Sequence, residues 1–178
     1  MKNTTKLIKP CILRSNQEYK SNLPMQSWGA DFSCSQLVQL LTEMRRDRID
    51  REYIWDTETA FSFIESILLG IPLRGLYFII FNNKQLIVDG YQRIGTLHYY
   101  VDHFLDHSLQ LSFKNCQDNF FPELSGEEIE KLANVSLPGI VVKTNDLLIV
   151  REIFHRIRKG EQHFTSSHIE SYIENILS

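Results

Sequence analysis

The chain has 178 residues, enough for one domain with a sizeable core or for a domain with a small helical appendage. Hydrophobic residues make up 43% and charged residues 23%, which excludes a disordered chain and a long coiled coil. A net charge of −3 excludes a global basic field for non-specific nucleic-acid binding, though not a local basic patch.

Residues 1–30 are polar apart from a short run at Ile12–Leu13, and read as a loose lead-in or an edge strand. Ser35 is placed to cap a helix from Gln36 to Arg46, whose Leu37, Leu40, Leu41 and Met44 form one apolar stripe. Asp56 or Thr57 caps a second helix running to Leu69, with Phe61, Ile64 and Leu68 inward, and Gly70 and Pro72 stop it. Gly75–Phe81 and Gln85–Val88 flank Asn82-Asn83-Lys84 and read as a β-hairpin. A third helix follows from Gln92 to Leu105, with Ile94, Leu97, Val101 and Phe104 inward. Leu109–Phe113 is a candidate strand, Ser125 with Glu128 a capping box, and Gly139–Lys143 a strand. Asn145 or Asp146 starts a helix with Leu147, Val150, Phe154 and Ile157 inward, ended by Gly160; a last helix carries Ile169, Ile173 and Leu177. Strands and helices do not alternate regularly, so the expected class is α+β, in one domain over 31–178 that is mostly helical over 125–178.

Cys11, Cys34 and Cys116 are odd in number and widely spaced, which suggests neither a disulfide framework nor a zinc site, and fits a reducing cytosol. The longest apolar stretch, Leu76–Phe81, falls far short of a membrane span.

The densest chemistry lies at Val88-Asp89-Gly90-Tyr91-Gln92-Arg93-Ile94-Gly95-Thr96-Leu97, where a strand ends, a glycine turns and a helix starts. Unbonded N–H groups and the helix dipole make such a start an anion site suited to phosphate. A cation in the first helical turn opposes the dipole, so Arg93 is best explained by an anionic ligand that its planar fork can grip. Gln92 is suited to orienting a water or reading a base, and Asp89 to holding Arg93 or joining a magnesium shell. The plain alternative is a tight Asp-Gly turn with Arg93 paired locally to Asp89. A second cluster, Arg51-Glu52-Tyr53-Ile54-Trp55-Asp56, offers two aromatics and a cation to a nucleobase, or else two core aromatics beside a surface arginine.

His98, His103 and His107 lie on or near the third helix and lack a partner cluster, so they read as surface or capping histidines, and no metal site is expected. Arg45, Arg46, Arg48 and Arg51, and again Arg156, Arg158 and Lys159, complement helix ends or contact DNA phosphates.

In order, Arg51-x-Tyr53-x-Trp55-Asp56, Glu65-Ser66-Ile67-Leu68-Leu69-Gly70-Ile71-Pro72, Asp89-Gly90-Tyr91-Gln92-Arg93 and Thr96-Leu97 resemble the GmrSD-type N-terminal domain family (domain of unknown function 262). The likeness continues weakly at Ile153-Phe154-His155-Arg156-Ile157, Gly160 and Phe164-Thr165. It implies a ParB-like fold, a small mixed sheet flanked by helices with a helical C-terminal part. It implies nucleotide binding, often with NTP hydrolysis, tied to sensing foreign or modified DNA in anti-phage restriction. On that likeness Asp89, Gln92 and Arg93 would be catalytic, and Arg51, Tyr53, Trp55, Gly90, Tyr91 and Thr96 would bind a nucleoside triphosphate with Mg2+. DNA and a nuclease or other protein are the further partners implied.

The chain departs from the family pattern at Asp50, Tyr91, Gly95, Arg158 and His168, where glutamine, glutamine, threonine, asparagine and glutamate are usual. Those departures put hydrolysis in doubt more than binding. The His-centred nuclease signature that follows such domains is not seen, so the chain is not expected to be a complete nuclease. The alternative expectation is a non-catalytic DNA-binding or protein-interaction module, acting as partner or decoy of a larger restriction protein.

Overall fold

The computed structural model describes residues 25–46, 53–105, 124–158 and 171–174. In chain order the elements are β1 (Met25–Ser33), α1 (Cys34–Arg46), α2 (Thr57–Leu68), β2 (Leu76–Phe81), β3 (Lys84–Asp89), α3 (Tyr91–Leu105), α4 (Gly126–Ala133), β4 (Ser136–Thr144) and α5 (Leu147–Ile157). Residues 171–174 are helical. The strands form one sheet in the order β1-β4-β2-β3. β1 and β4 are antiparallel, β2 and β4 parallel, and β2 and β3 antiparallel. The expected α+β class with a small mixed sheet is therefore found.

Local chemistry explains most element ends. Asn82 and Asn83 both take positive φ, 50° and 63°, as a two-residue turn must when it follows the twist of its strands. Asp56 caps α2 by accepting from Thr59 N at 2.8 Å. At its far end Gly70 N donates to Ile67 O and Ile71 N to Ser66 O, with Gly70 at φ 73°, which is a Schellman closure. Ser125 and Glu128 form the expected capping box.

The α1 cap differs from expectation. Ser33, not Ser35, holds the helix start: its Oγ accepts from Gln36 N at 3.3 Å, and Gln36 Oε1 accepts from Ser33 N at 2.9 Å. This reciprocal pair places the start of α1 at Cys34, two residues early. The inner face of α2 is also rotated. Ala60, Phe63, Ile64 and Ile67 are buried, whereas Phe61 and Leu68 are half-buried. From Met25 onward the N-terminal stretch is an edge strand, not a loose lead-in. β4 extends beyond the expected Gly139–Lys143 at both ends. The candidate strand at Leu109–Phe113, the side chains of Val101 and Phe104, and Gly160, Ile169 and Leu177 lie outside the described residues.

The core joins Leu37, Leu41 and Met44 of α1 to Ile64 of α2, Phe78 and Ile79 of β2, Leu86 and Ile87 of β3, and Ile94 and Leu97 of α3. Each such side chain contributes roughly 1.5–3 kcal/mol when fully buried. Cys34 belongs to this core, and burial pushes its thiol up to about 11. His98 is buried as well, 3.3 Å from Thr42 Oγ1, which corrects the expectation of a surface or capping histidine. Through that contact it ties α3 to α1.

Candidate functional site

The β3–α3 junction is built by a bulge and a glycine. Tyr77 pairs with Asp89 but Phe78 with Ile87, so Val88 is passed over in the ladder. Gly90 then takes φ 107°, and a Cβ there would lie 2.3 Å from Leu76 Cδ2. Only glycine fits that turn. Ile94 N donates to Gly90 O at 2.9 Å, the first bond of the α3 ladder. The N–H groups of Tyr91, Gln92 and Arg93 precede it and have no place in that ladder.

Arg93 turns back onto this corner. Its guanidinium donates to Asp89 Oδ2 at 3.1 Å, to the Gly75 carbonyl at 3.3 Å and to the Arg74 carbonyl. The side chains are largely enclosed, 11% exposed for Arg93 and 15% for Asp89. Burial draws the Arg93 guanidinium below its ordinary value, the Asp89 carboxylate pushes it back up, and Arg74 adds a smaller lowering. Arg74 Nε lies 3.8 Å from Asp89 Oδ2, with its side chain 69% exposed. From the other end of the chain, Arg158 Nη1 donates to the carbonyl of the bulged Val88 at 2.9 Å. Arg74 and Arg93 thus flank the Asp89 carboxylate at the end of β3, while Arg158 clasps the backbone one residue before it.

The neighbouring segment is fixed by side chains of α3. Gln92 Oε1 accepts from Ile54 N at 2.9 Å and Trp55 N at 3.3 Å. The Tyr53 hydroxyl lies 2.8 Å from Thr96 Oγ1, which donates to Gln92 O at 2.9 Å, so the tyrosine supplies the proton between the two hydroxyls. The Tyr53 ring occupies the space over Gly95, where a Cβ would come within 3.0 Å of it. That contact accounts for glycine at a position where a threonine was the expected pattern. Trp55 packs edge-on against Phe63 at 5.7 Å, and Tyr91 is buried in the core.

Asp89, Gly90, Gln92, Arg93, Tyr53, Trp55, Tyr91 and Thr96 are therefore brought to one corner, while Arg51 lies outside the described residues. Arg45 and Arg46 side chains, Arg48, the His103 side chain and His107 also lie outside them. Sequence reasoning missed Arg74, which no motif marks. It met Arg158 in a basic run at a helix end and as a departure from a pattern, but not its partner, which is 70 residues away. Among the described residues no three His, Cys, Asp or Glu side chains come together to hold a metal ion.

A groove of about 520 Å³ lies at the opposite end of β3, between α1 and the hairpin turn. Phe32, Leu40 and Met44 supply its apolar side, and Gln36, Glu43 and Gln85 are among its polar side chains. None of these residues belongs to the motif cluster.

The family model described as the GmrSD restriction endonuclease N-terminal domain matches residues 35–176. No curated protein and no solved structure matches the chain.

Proposed function

This chain belongs to the family of GmrSD restriction endonuclease N-terminal domains, and from that premise we propose that it is the ligand-sensing part of a restriction system, taking the phosphates of a nucleoside triphosphate at the β3–α3 corner. The observation that carries the reading is the placing of Arg74 and Arg93 on the Asp89 carboxylate, with Arg158 on the adjacent Val88 carbonyl, beside the start of α3. Guanidinium forks and the N–H groups of a helix start are both phosphate ligands. Arg74 is the exposed member and meets the phosphate; Arg93 and Arg158 hold the frame and supply field. The Asp-Gly corner also supports a ParB-like descent for the fold, and an anti-phage, cytosolic setting is part of the same proposal. Among the described residues no helix is long and apolar enough to cross a membrane.

The geometry favours binding over turnover. Gln92 Oε1 accepts from two backbone N–H groups, and Asp89 is held by Arg93. We therefore assign Asp89, Gln92 and Arg93 to shaping the corner, not to bond breaking. One carboxylate between two guanidiniums does not fit a protein-held magnesium; any magnesium is expected to arrive on the triphosphate. A second reading, a non-catalytic DNA- or protein-binding module, is favoured by the same saturation: the signature side chains are bonded to one another without a ligand.

The test is a thermal-shift panel of ATP, GTP, CTP and UTP with magnesium, on wild type and Arg74→Ala. A ligand held by the folded state stabilises by about 2.7 kcal/mol at a hundred times its Kd. Arg74 is exposed and makes only a long ion pair, so its loss leaves the fold intact. A shift that depends on Arg74 supports the phosphate site. A flat panel with salt-dependent DNA binding would replace it by the second reading.

A further inference from the structure

The two edges of the sheet are finished differently. β3 is six residues long, opens on Lys84, bulges at Val88 and is clasped there by Arg158. A short strand, an edge lysine and a bulge are each a guard against further pairing. β1 has none of them. It is nine residues long, pairs with β4 without a register shift, and contains no proline, no lysine and one charge, Asp31. Met25 to Gly29 are exposed one after another, with Met25 at 38% and Trp28 at 42%. Among the described residues nothing pairs with its outer edge. An unguarded edge about 30 Å long offers a row of main-chain donors and acceptors to another strand.

We infer that β1 pairs antiparallel with β1 of a second copy of this chain, joining two four-stranded sheets across a two-fold axis. The strand is complementary to itself in one register. A two-fold centred on Gly29 opposes Trp28 to Ala30, Ser27 to Asp31, Gln26 to Phe32 and Met25 to Ser33 of the second copy. The lone carboxylate then faces a serine hydroxyl instead of its own counterpart. On one face the two tryptophans meet diagonally, each over a small alanine, within the reach of aromatic cross-strand contacts. Charge and bulk are thus both accommodated by a copy of the same strand. The inference is independent of any ligand at the β3–α3 corner.

Sedimentation equilibrium of the full chain tests it, with Ser27→Asp and Ser27→Lys as the deciding pair. Ser27 and Asp31 are exposed, so both variants keep the wild-type melting behaviour of the monomer. The wild type is expected to sediment at twice the chain mass. Ser27→Asp sets two carboxylates opposite each other at both ends of the ladder and weakens the dimer about tenfold or more, whereas Ser27→Lys sets an ammonium opposite Asp31 and keeps it. A wild type that stays monomeric at all concentrations would overturn the inference and hand the edge to a foreign extended segment. A dimer indifferent to Ser27→Asp would overturn it too, by placing the interface elsewhere.

Discussion

β3 has two ends about 17 Å apart by strand rise, and they are opposites. At Asp89 the side chains are bonded to one another: Arg93 to a carboxylate and two carbonyls, Gln92 to two backbone N–H groups, Tyr53 to Thr96. At Lys84 the chain borders an open groove with carboxamides on its walls. The recognisable motif sits at the closed end, and the cavity at the end with no motif. A signature of this kind records the residues that make a corner rigid as much as those that touch a ligand.

The contrast can be broken by substitution, and the closed end is expected to fail first. Gly90→Ala combines a left-handed backbone with a Cβ driven into Leu76, so a loss of about 4 kcal/mol is expected in urea unfolding. Arg93→Ala leaves Asp89 short of its enclosed partner and two carbonyls short of a donor, for a loss of about 3 kcal/mol. Tyr53→Phe removes one buried hydroxyl contact and is expected to lose about 1 kcal/mol with the fold intact. Asp56, beside the segment that Gln92 holds, has its carboxyl lowered below 3.8 by the Thr59 bonds. Its contribution is present above that ordinary value and fades as pH falls through the lower folded one. Asp56→Asn keeps a capping oxygen that does not titrate, so the urea midpoint of that variant should fall less steeply in acid. Gln39→Ala, on the wall of the groove, should change stability by no more than about 0.5 kcal/mol. A Gln39→Ala loss as large as that of Tyr53→Phe would erase the difference between the two ends.

How much of this was legible depended on how local the cause was. The β2–β3 hairpin, the α2 cap and the Ser125–Glu128 box act within four residues and were readable, although Lys84 was assigned to the turn and belongs to β3, and the cap was narrowed only to Asp56 or Thr57. α1 was misplaced by two residues because Ser33 and Ser35 both suit a cap, and only the Gln36 side chain decides between them. β1 gave no alternating pattern because its first half is exposed on both faces, so burial left no imprint on Met25-Gln26-Ser27-Trp28-Gly29. At the site, Asp89, Gly90 and Arg93 were evident from the strand–turn–helix sequence. The pairing of Arg93 with Asp89 was one of the two readings offered, and it is present; its other partners, the Arg74 and Gly75 carbonyls, are backbone, which no side-chain pattern encodes. The Arg158–Val88 bond spans 70 residues of chain and leaves no local mark.

The position of β4 has a consequence for how the chain assembles. It is the last of the described strands to leave the ribosome, yet it lies inside the sheet, between β1 and β2. Until residue 144 has emerged, β1 has no ladder to join and the β2–β3 hairpin has one open side. The hairpin is local and closes early, whereas the pairing of Met25 with Thr144 must first close a loop of more than a hundred residues. Synthesis therefore passes through a period in which two strand edges wait for the same late segment. Pausing before Ser136 would lengthen the time during which β1, the least guarded of them, is free to find another chain.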